Sequence, residues 1–174
     1  MKNSITIKLS GKEIERLTRE VENRKNWMRE RTTVFLNRVA QEGMNIASAK
    51  FGQAVYDGTN DVSVTVEPRG SEIRAVVATG RATLFVEFGT GVIYPDNHPE
   101  AGELGMKRGE YGQGHGKQQS WGYYGEPGTN GLLKEKKNGG FVVITRGNPA
   151  NMPMYETVKE LQDRLTDIAR EVFS

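Results

Sequence analysis

Ser10-Gly11-Lys12-Glu13-Ile14-Glu15-Arg16-Leu17 opens the stretch that decides the fold, because no Pro or Gly interrupts the chain from Lys12 to Glu42. A Ser followed three residues later by a Glu is the capping-box pattern, in which each side chain satisfies an orphan backbone N–H of the other. A helix is therefore expected from about Gly11. Ile14, Leu17 and Val21 give it an apolar stripe at helical spacing. Trp27, Met28, Arg31, Val34, Phe35, Arg38, Val39, Ile46 and Ala47 carry the pattern on, with a phase drift near Asn23 to Asn26. That drift leaves two readings, one long bent helix or two helices meeting there. The polar cluster Tyr56 to Asp61 closes the section.

Outward from this run, Ser4 to Leu9 alternates apolar and polar residues, as in a half-buried strand. After the helix, Val62, Val64 and Val66 alternate with polar residues. Pro68-Arg69-Gly70-Ser71 reads as a turn, and Ile73 to Thr79 as the returning strand of a hairpin. Ala82 to Phe88 fits either a strand or a short helix, and stops at Gly89-Thr90-Gly91. From Gly102 to Gly140 the chain holds 12 of its 21 glycines and few aliphatic residues. Such a stretch is too poor in apolar surface to fold alone, and reads as a long glycine-rich loop. Phe141 to Thr145 returns to strand composition and Arg146 to Asn151 to a turn. Met154, Val158, Leu161, Leu165, Ile168 and Val172 then mark an amphipathic C-terminal helix. The expected fold is a single α+β domain over residues 1–174, with helices on one face of a small antiparallel sheet and residues 102–140 as an excursion from it.

Composition bounds the chemistry. A chain of 174 residues is one ordinary domain, and 36% hydrophobic residues is a modest share for it. Lys+Arg is 24 against Asp+Glu 22, without the basic surplus of a dedicated nucleic-acid binder. Charge is nevertheless segregated: residues 1–50 carry net +5, 51–101 net −4, 102–150 net +3 and 151–174 net −2. Such a pattern could join copies of one chain, or simply mark solvated helix faces. With no Cys, disulfides, thiolate nucleophiles and Cys-type zinc sites are excluded together, which fits synthesis in a reducing cytosol. The sequence shows no apolar run of membrane-spanning length and no signal-peptide core at its start, so no membrane association is expected.

Four constellations of residues could carry chemistry. Asp96, His98 and Glu100, with His115, are metal-ligand types. Pro95 and Pro99 would fan alternate side chains apart, and the plainer reading is two solvent-exposed loop histidines. Gly112 to Lys117 resembles a phosphate-cradling loop but lacks the strand before and the helix after, and Gln118 stands where Ser or Thr is needed. Trp121, Tyr123 and Tyr124 with Lys134, Lys136 and Lys137 suit base stacking or, with near-neutral overall charge, anchors at a protein interface. Glu87 is the one acid in Leu84-Phe85-Val86-Glu87-Phe88. A catalytic acid needs a second positioned group, and no His or Asp stands near it in sequence. The expected role is structural: a carboxylate accepting backbone N–H groups of the following turn, or pairing with an Arg of a neighbouring subunit. No catalytic, metal or cofactor set emerges, and the expectation is a non-enzymatic domain with no cofactor.

Phe85-Val86-Glu87-Phe88-Gly89-Thr90-Gly91 resembles the E-F-G-T motif of a family of long-tailed bacteriophage neck proteins, called head–tail joining, tail-completion or minor tail components. In that family an amphipathic N-terminal helix precedes the motif, and a variable loop and a Pro-aromatic/apolar segment opening the C-terminal helix follow it. Asn151-Met152-Pro153-Met154-Tyr155 stands in that last place, so the likeness in element order covers most of the chain. The family usually has Pro-Phe and a further Pro-Ala there, where this chain has Pro153-Met154 and Glu156-Thr157. It often has a Gly and a Tyr-Ala pair before the motif, where Arg81-Ala82-Thr83-Leu84 stands here. The loop from Gly102 to Gly140 is long for the family. The resemblance implies a structural virion protein, assembled in the bacterial cytoplasm, that forms a six-fold or twelve-fold homo-oligomeric ring in the neck. Its partners would be other neck, connector and tail proteins, with DNA passing through the channel without sequence specificity. The alternatives are a nucleic-acid-binding module using the basic N-terminal helix and the aromatic loop, and a small hydrolase using Glu87. Physically, Gly89 and Gly91 suit positive φ or close backbone approach, Thr90 local backbone bonds, Phe88 a core anchor, and Pro153 a first helical turn.

Overall fold

The computed structural model describes residues 10–91, 97–112, 117–128 and 130–174; the strand expected at Ser4 to Leu9 lies outside them. The N-terminal run is one unbroken helix, α1, Gly11–Gln53, which settles the two readings in favour of a single helix. Only half of the capping box forms. Ser10 Oγ accepts the Glu13 N–H at 3.4 Å, while the Glu13 carboxylate turns to Arg16 at 2.9 Å. The hairpin follows, β1 (Ser63–Pro68) against β2 (Arg74–Thr79), with Val64 opposite Ala78 and Val66 opposite Val76.

Ala82 to Phe88, ambiguous in sequence, resolves as a short helix, α2, Thr83–Phe88. The helical turn puts Ala82 and Val86 on one side, where both are buried, and leaves Leu84 exposed; a strand would have grouped Leu84 with Val86. Asp61 holds the start of this helix, its carboxylate accepting the N–H groups of Arg81 (3.1 Å) and Ala82 (2.9 Å). Those two bonds are the leading cause of its pKa being lowered.

The stretch 102–140 departs from expectation. It contains β3 (Trp121–Tyr123) and β4 (Leu132–Glu135), which flank β5 (Phe141–Thr145) in an antiparallel sheet of order β3-β5-β4. The expected single sheet is thus two, and the long loop is partly sheet. The segment alone lacks apolar surface, but β5 supplies it: Val143 is buried and stands opposite both Tyr123 and Leu133.

The last element, α3, Pro153–Phe173, runs antiparallel to α1, with Lys50 paired to Glu160 at 3.3 Å near one end and Phe173 against Trp27 and Phe35 at the other. Gly43 of α1 leaves room for Leu161, since a Cβ there would stand 2.9 Å from Leu161 Cδ1. Of the expected α3 stripe, Ile168 and Val172 are buried, whereas Val158 is exposed. Phe51, Ala82 and Val86 form the core where α1, the hairpin, α2 and the start of α3 converge, packed by Val62, Val64, Ala78 and Met154. No helix among the described residues is long and apolar enough to cross a membrane.

Candidate functional site

The E-F-G-T segment and the start of α3 form one buried junction. The first residues of a helix leave N–H groups without partners. In α3 the N-cap is Met152, whose side chain caps nothing and whose backbone is left-handed at φ 55°. Pro153 at the first position has no N–H to satisfy. The next two N–H groups are taken by Glu87 from across the fold: Oε2 accepts from Met154 at 2.8 Å and Oε1 from Tyr155 at 3.0 Å. The Glu87 carbonyl also accepts the Met152 N–H at 3.2 Å. A buried carboxylate thus caps a helix whose own sequence supplies no cap, and the helix dipole favours its negative charge. The expected charge-assisted backbone bonds are present, but their donors come from α3 rather than from the turn after Phe88.

His98 completes the junction and corrects the reading of it as a solvent-exposed loop histidine. It is buried, its ring centroid 4.5 Å from that of Phe88 and 5.4 Å from that of Tyr155. Its Nδ1 accepts the Glu100 N–H at 3.1 Å. The proton therefore sits on Nε2, which donates to Glu87 Oε1 at 3.2 Å. A second titratable group does stand beside Glu87, contrary to the sequence reading, but both ring nitrogens are engaged. Asp96 and His115 of the metal constellation, and 113–116 of the phosphate-loop reading, lie outside the described residues. Among the described residues no group of three or more His, Asp or Glu could hold a metal ion.

Gly89 and Gly91 take φ of 80° and 94°. Gly91 is irreplaceable on steric grounds as well, because a Cβ there would stand 2.5 Å from the Arg146 carbonyl oxygen; Gly147 on the facing chain presses equally on Thr90. This crossing is laced by Thr90 N–H to the Asn148 carbonyl (2.9 Å) and Asn148 N–H to Thr90 Oγ1 (2.8 Å). Phe88 is buried, as its anchoring role required, and Tyr111 donates its hydroxyl to the Gly89 carbonyl. Burial pushes the Tyr111 phenol up to about 12.

Sequence reasoning missed the second hub, Asp57. It is buried, and its carboxylate accepts from the Asn130 N–H (2.7 Å) and the Thr145 hydroxyl (2.8 Å), while its own N–H donates to Asn148 Oδ1 (2.7 Å). It ties the end of α1 to β5 and to the turn before β4. Asn151 adds a second tie, its side chain accepting the Val55 N–H and donating to the Val55 carbonyl. No local signal announces either residue, since every one of these bonds spans a long stretch of chain.

Trp121, Tyr123 and Tyr124 lie apart from the Glu87 junction, on a cleft of about 940 Å³ shared with Tyr56, Phe85 and Tyr111. Thr90 and Gly91 reach the same cleft, so the two groups of sequence candidates meet at its wall. Its charges are mixed: Arg81 and Lys117 against Asp57 and Asp61. Burial, and then the two carboxylates, raise the pKa of Tyr56; burial, then Asp57 and Tyr56, raise that of Tyr123. Of the expected lysines, Lys136 packs over the Tyr124 ring at 4.3 Å. Compared with known proteins, the chain matches no family model, no curated protein and no solved structure.

Proposed function

We propose that this chain is a non-enzymatic structural virion protein that forms a homo-oligomeric ring in the neck of a long-tailed bacteriophage, joining the head-side connector to the tail and leaving a channel for DNA. The observation that carries the reading is the junction itself. The two segments that resemble the neck family, Glu87 to Gly91 and Pro153-Met154, are joined by the Glu87 carboxylate at the start of α3. Residues so used are fold determinants: Glu87 is buried, with a backbone N–H on each oxygen and His98 on one. That arrangement speaks for a structural role over the hydrolase alternative. The mixed charge of the aromatic cleft speaks against the nucleic-acid alternative, since the partly exposed Asp61 lines it beside Arg81 and Lys117.

Native mass spectrometry and negative-stain imaging of the purified chain test the proposal. A closed ring of six or twelve copies with an open centre is expected. A monomer at every concentration, or tight DNA binding that collapses steeply as salt rises, would overturn it.

A further inference from the structure

We infer that the aromatic cleft is a binding site for a neutral oligosaccharide, whose sugar rings stack on the aromatic walls and whose hydroxyls take the polar groups between them. The site does not depend on the ring proposed above. Its volume of about 940 Å³ is that of a small-ligand site. Tyr56, Tyr111, Tyr123 and Tyr124, four of the chain's 6 tyrosines, line it with Phe85 and Trp121. Several of these rings are fixed by the fold. Phe85 and Tyr111 stack with centroids 6.1 Å apart, and the Tyr111 hydroxyl is bonded to the Gly89 carbonyl. Tyr123 donates its hydroxyl to the Glu126 carbonyl at 2.8 Å. Glycines of the cleft stand against three of the rings: a Cβ on Gly58, Gly112 or Gly125 would lie 3.5, 3.3 or 3.5 Å from the ring of Tyr56, Phe85 or Tyr123. A side chain at any of these places would lean on the ring that glycine leaves open.

The polar groups between the rings supply donors and an acceptor. Asn148 lines the cleft and is only 3% exposed. Its Oδ1 accepts the Asp57 N–H at 2.7 Å, which fixes the orientation of the amide and leaves Nδ2 with no acceptor among the described residues. A buried N–H left unpaired is costly, and a ligand oxygen would pair it. The Tyr56 hydroxyl also has no partner among the described residues. Burial, and then the neighbouring Asp61 and Asp57, raise its pKa, so at neutral pH it is a donor. Asp61, its side chain 30% exposed, is the acceptor on the same wall.

This combination selects the ligand. A sugar ring has an apolar C–H face, which the electron-rich face of an aromatic ring attracts, and a rim of hydroxyls that both donate and accept. A proline-rich peptide stacks as well but brings no proline N–H for Asp61. A quaternary ammonium has no acceptor for Asn148. A nucleotide would bring its phosphate to a wall whose carboxylates already oppose the ionisation of Tyr56. A wholly apolar ligand would strip water from Asn148 and Asp61 and give nothing in exchange.

Maltotetraose, cellotetraose and chitotetraose are the probes, titrated to millimolar concentration into the full chain and followed by calorimetry and tryptophan fluorescence. Of the chain's 2 tryptophans, Trp27 packs against Phe173 and only Trp121 lines the cleft, so a change in emission reports on the site. At least one of the three sugars is expected to bind and to shift that emission. Trp121→Ala and Tyr124→Ala are each expected to weaken binding about tenfold in calorimetry, the size of one aromatic contact. Tyr124 is 76% exposed, so Tyr124→Ala is expected to keep the wild-type melting temperature and separates lost binding from lost folding. Binding of none of the three sugars would overturn the inference. Binding that both variants leave unchanged would overturn it by placing the sugar elsewhere. Tighter binding of adenosine monophosphate or of a polyproline peptide, weakened by the same two substitutions, would overturn it by giving the cleft to another class of ligand.

Discussion

Replacing Glu87 by Gln changes one atom and sets a donor against a donor. In the native junction Oε2 accepts the Met154 N–H at 2.8 Å, and Oε1 accepts both the Tyr155 N–H at 3.0 Å and the His98 Nε2–H at 3.2 Å. If the amide keeps its oxygen toward Tyr155 and His98, its NH₂ faces the Met154 N–H. If it flips, the NH₂ faces two N–H groups, and His98 cannot answer by moving its proton because Nδ1 already accepts from Glu100. At least one charge-assisted bond is lost, worth about 1.5–3 kcal/mol, and a buried N–H is left unpaired at a further cost of about 1–3 kcal/mol. Local relaxation recovers part of this, so a loss of about 3 kcal/mol is expected, against a total stability of about 5–15 kcal/mol. For a chain of this length that corresponds to a fall of roughly 6–12 °C in Tm. Calorimetry at neutral pH, with urea unfolding as a second probe, measures it. A Tm within about 2 °C of wild type would refute the assignment of Glu87 as the cap of α3.

Four further outcomes follow from the same geometry. Gly91→Ala and Gly147→Ala each force a Cβ against a facing carbonyl at positive φ, and each is expected to lower stability by more than about 1–3 kcal/mol in urea unfolding; unchanged midpoints would deny the close crossing. Along the α3 stripe, Ile168→Asp and Val172→Asp should abolish folding by circular dichroism, whereas Val158→Asp, at a position 53% exposed, should be tolerated. Among the described tyrosines Tyr111 should titrate last, its signal near pH 12 missing from Tyr111→Phe in an ultraviolet titration. Its folded pKa lies above the ordinary value near 10, so its contribution to stability is complete below pH 10 and is lost as pH rises from about 10 to about 12.

The long helices, the hairpin and the strand Phe141 to Thr145 were legible in the sequence, because each rests on a local rule. A cap residue and an unbroken run set the start and course of α1; a repeat of three and four apolar steps marks α3; a period of two around a turn marks β1 and β2. The special character of Glu87 was also visible, as the one acid in an apolar segment. Its partners were not, because they are the N–H groups of Met154 and Tyr155, more than sixty positions away. The same holds for Asp57, whose bonds to Asn130, Thr145 and Asn148 exist only after β5 has docked at the end of α1. His98 looked like a loop residue until Phe88 and Tyr155 closed around it. β3 and β4 escaped notice because strands of three and four residues are too short to show an alternating pattern of their own. Local periodicity determines which elements form, since helix and strand hydrogen bonds are made near at hand or announced by side-chain alternation. Which polar groups are buried together was decided only by the tertiary fold, because a carboxylate, a histidine and a helix end satisfy one another through space, without regard to their distance along the chain.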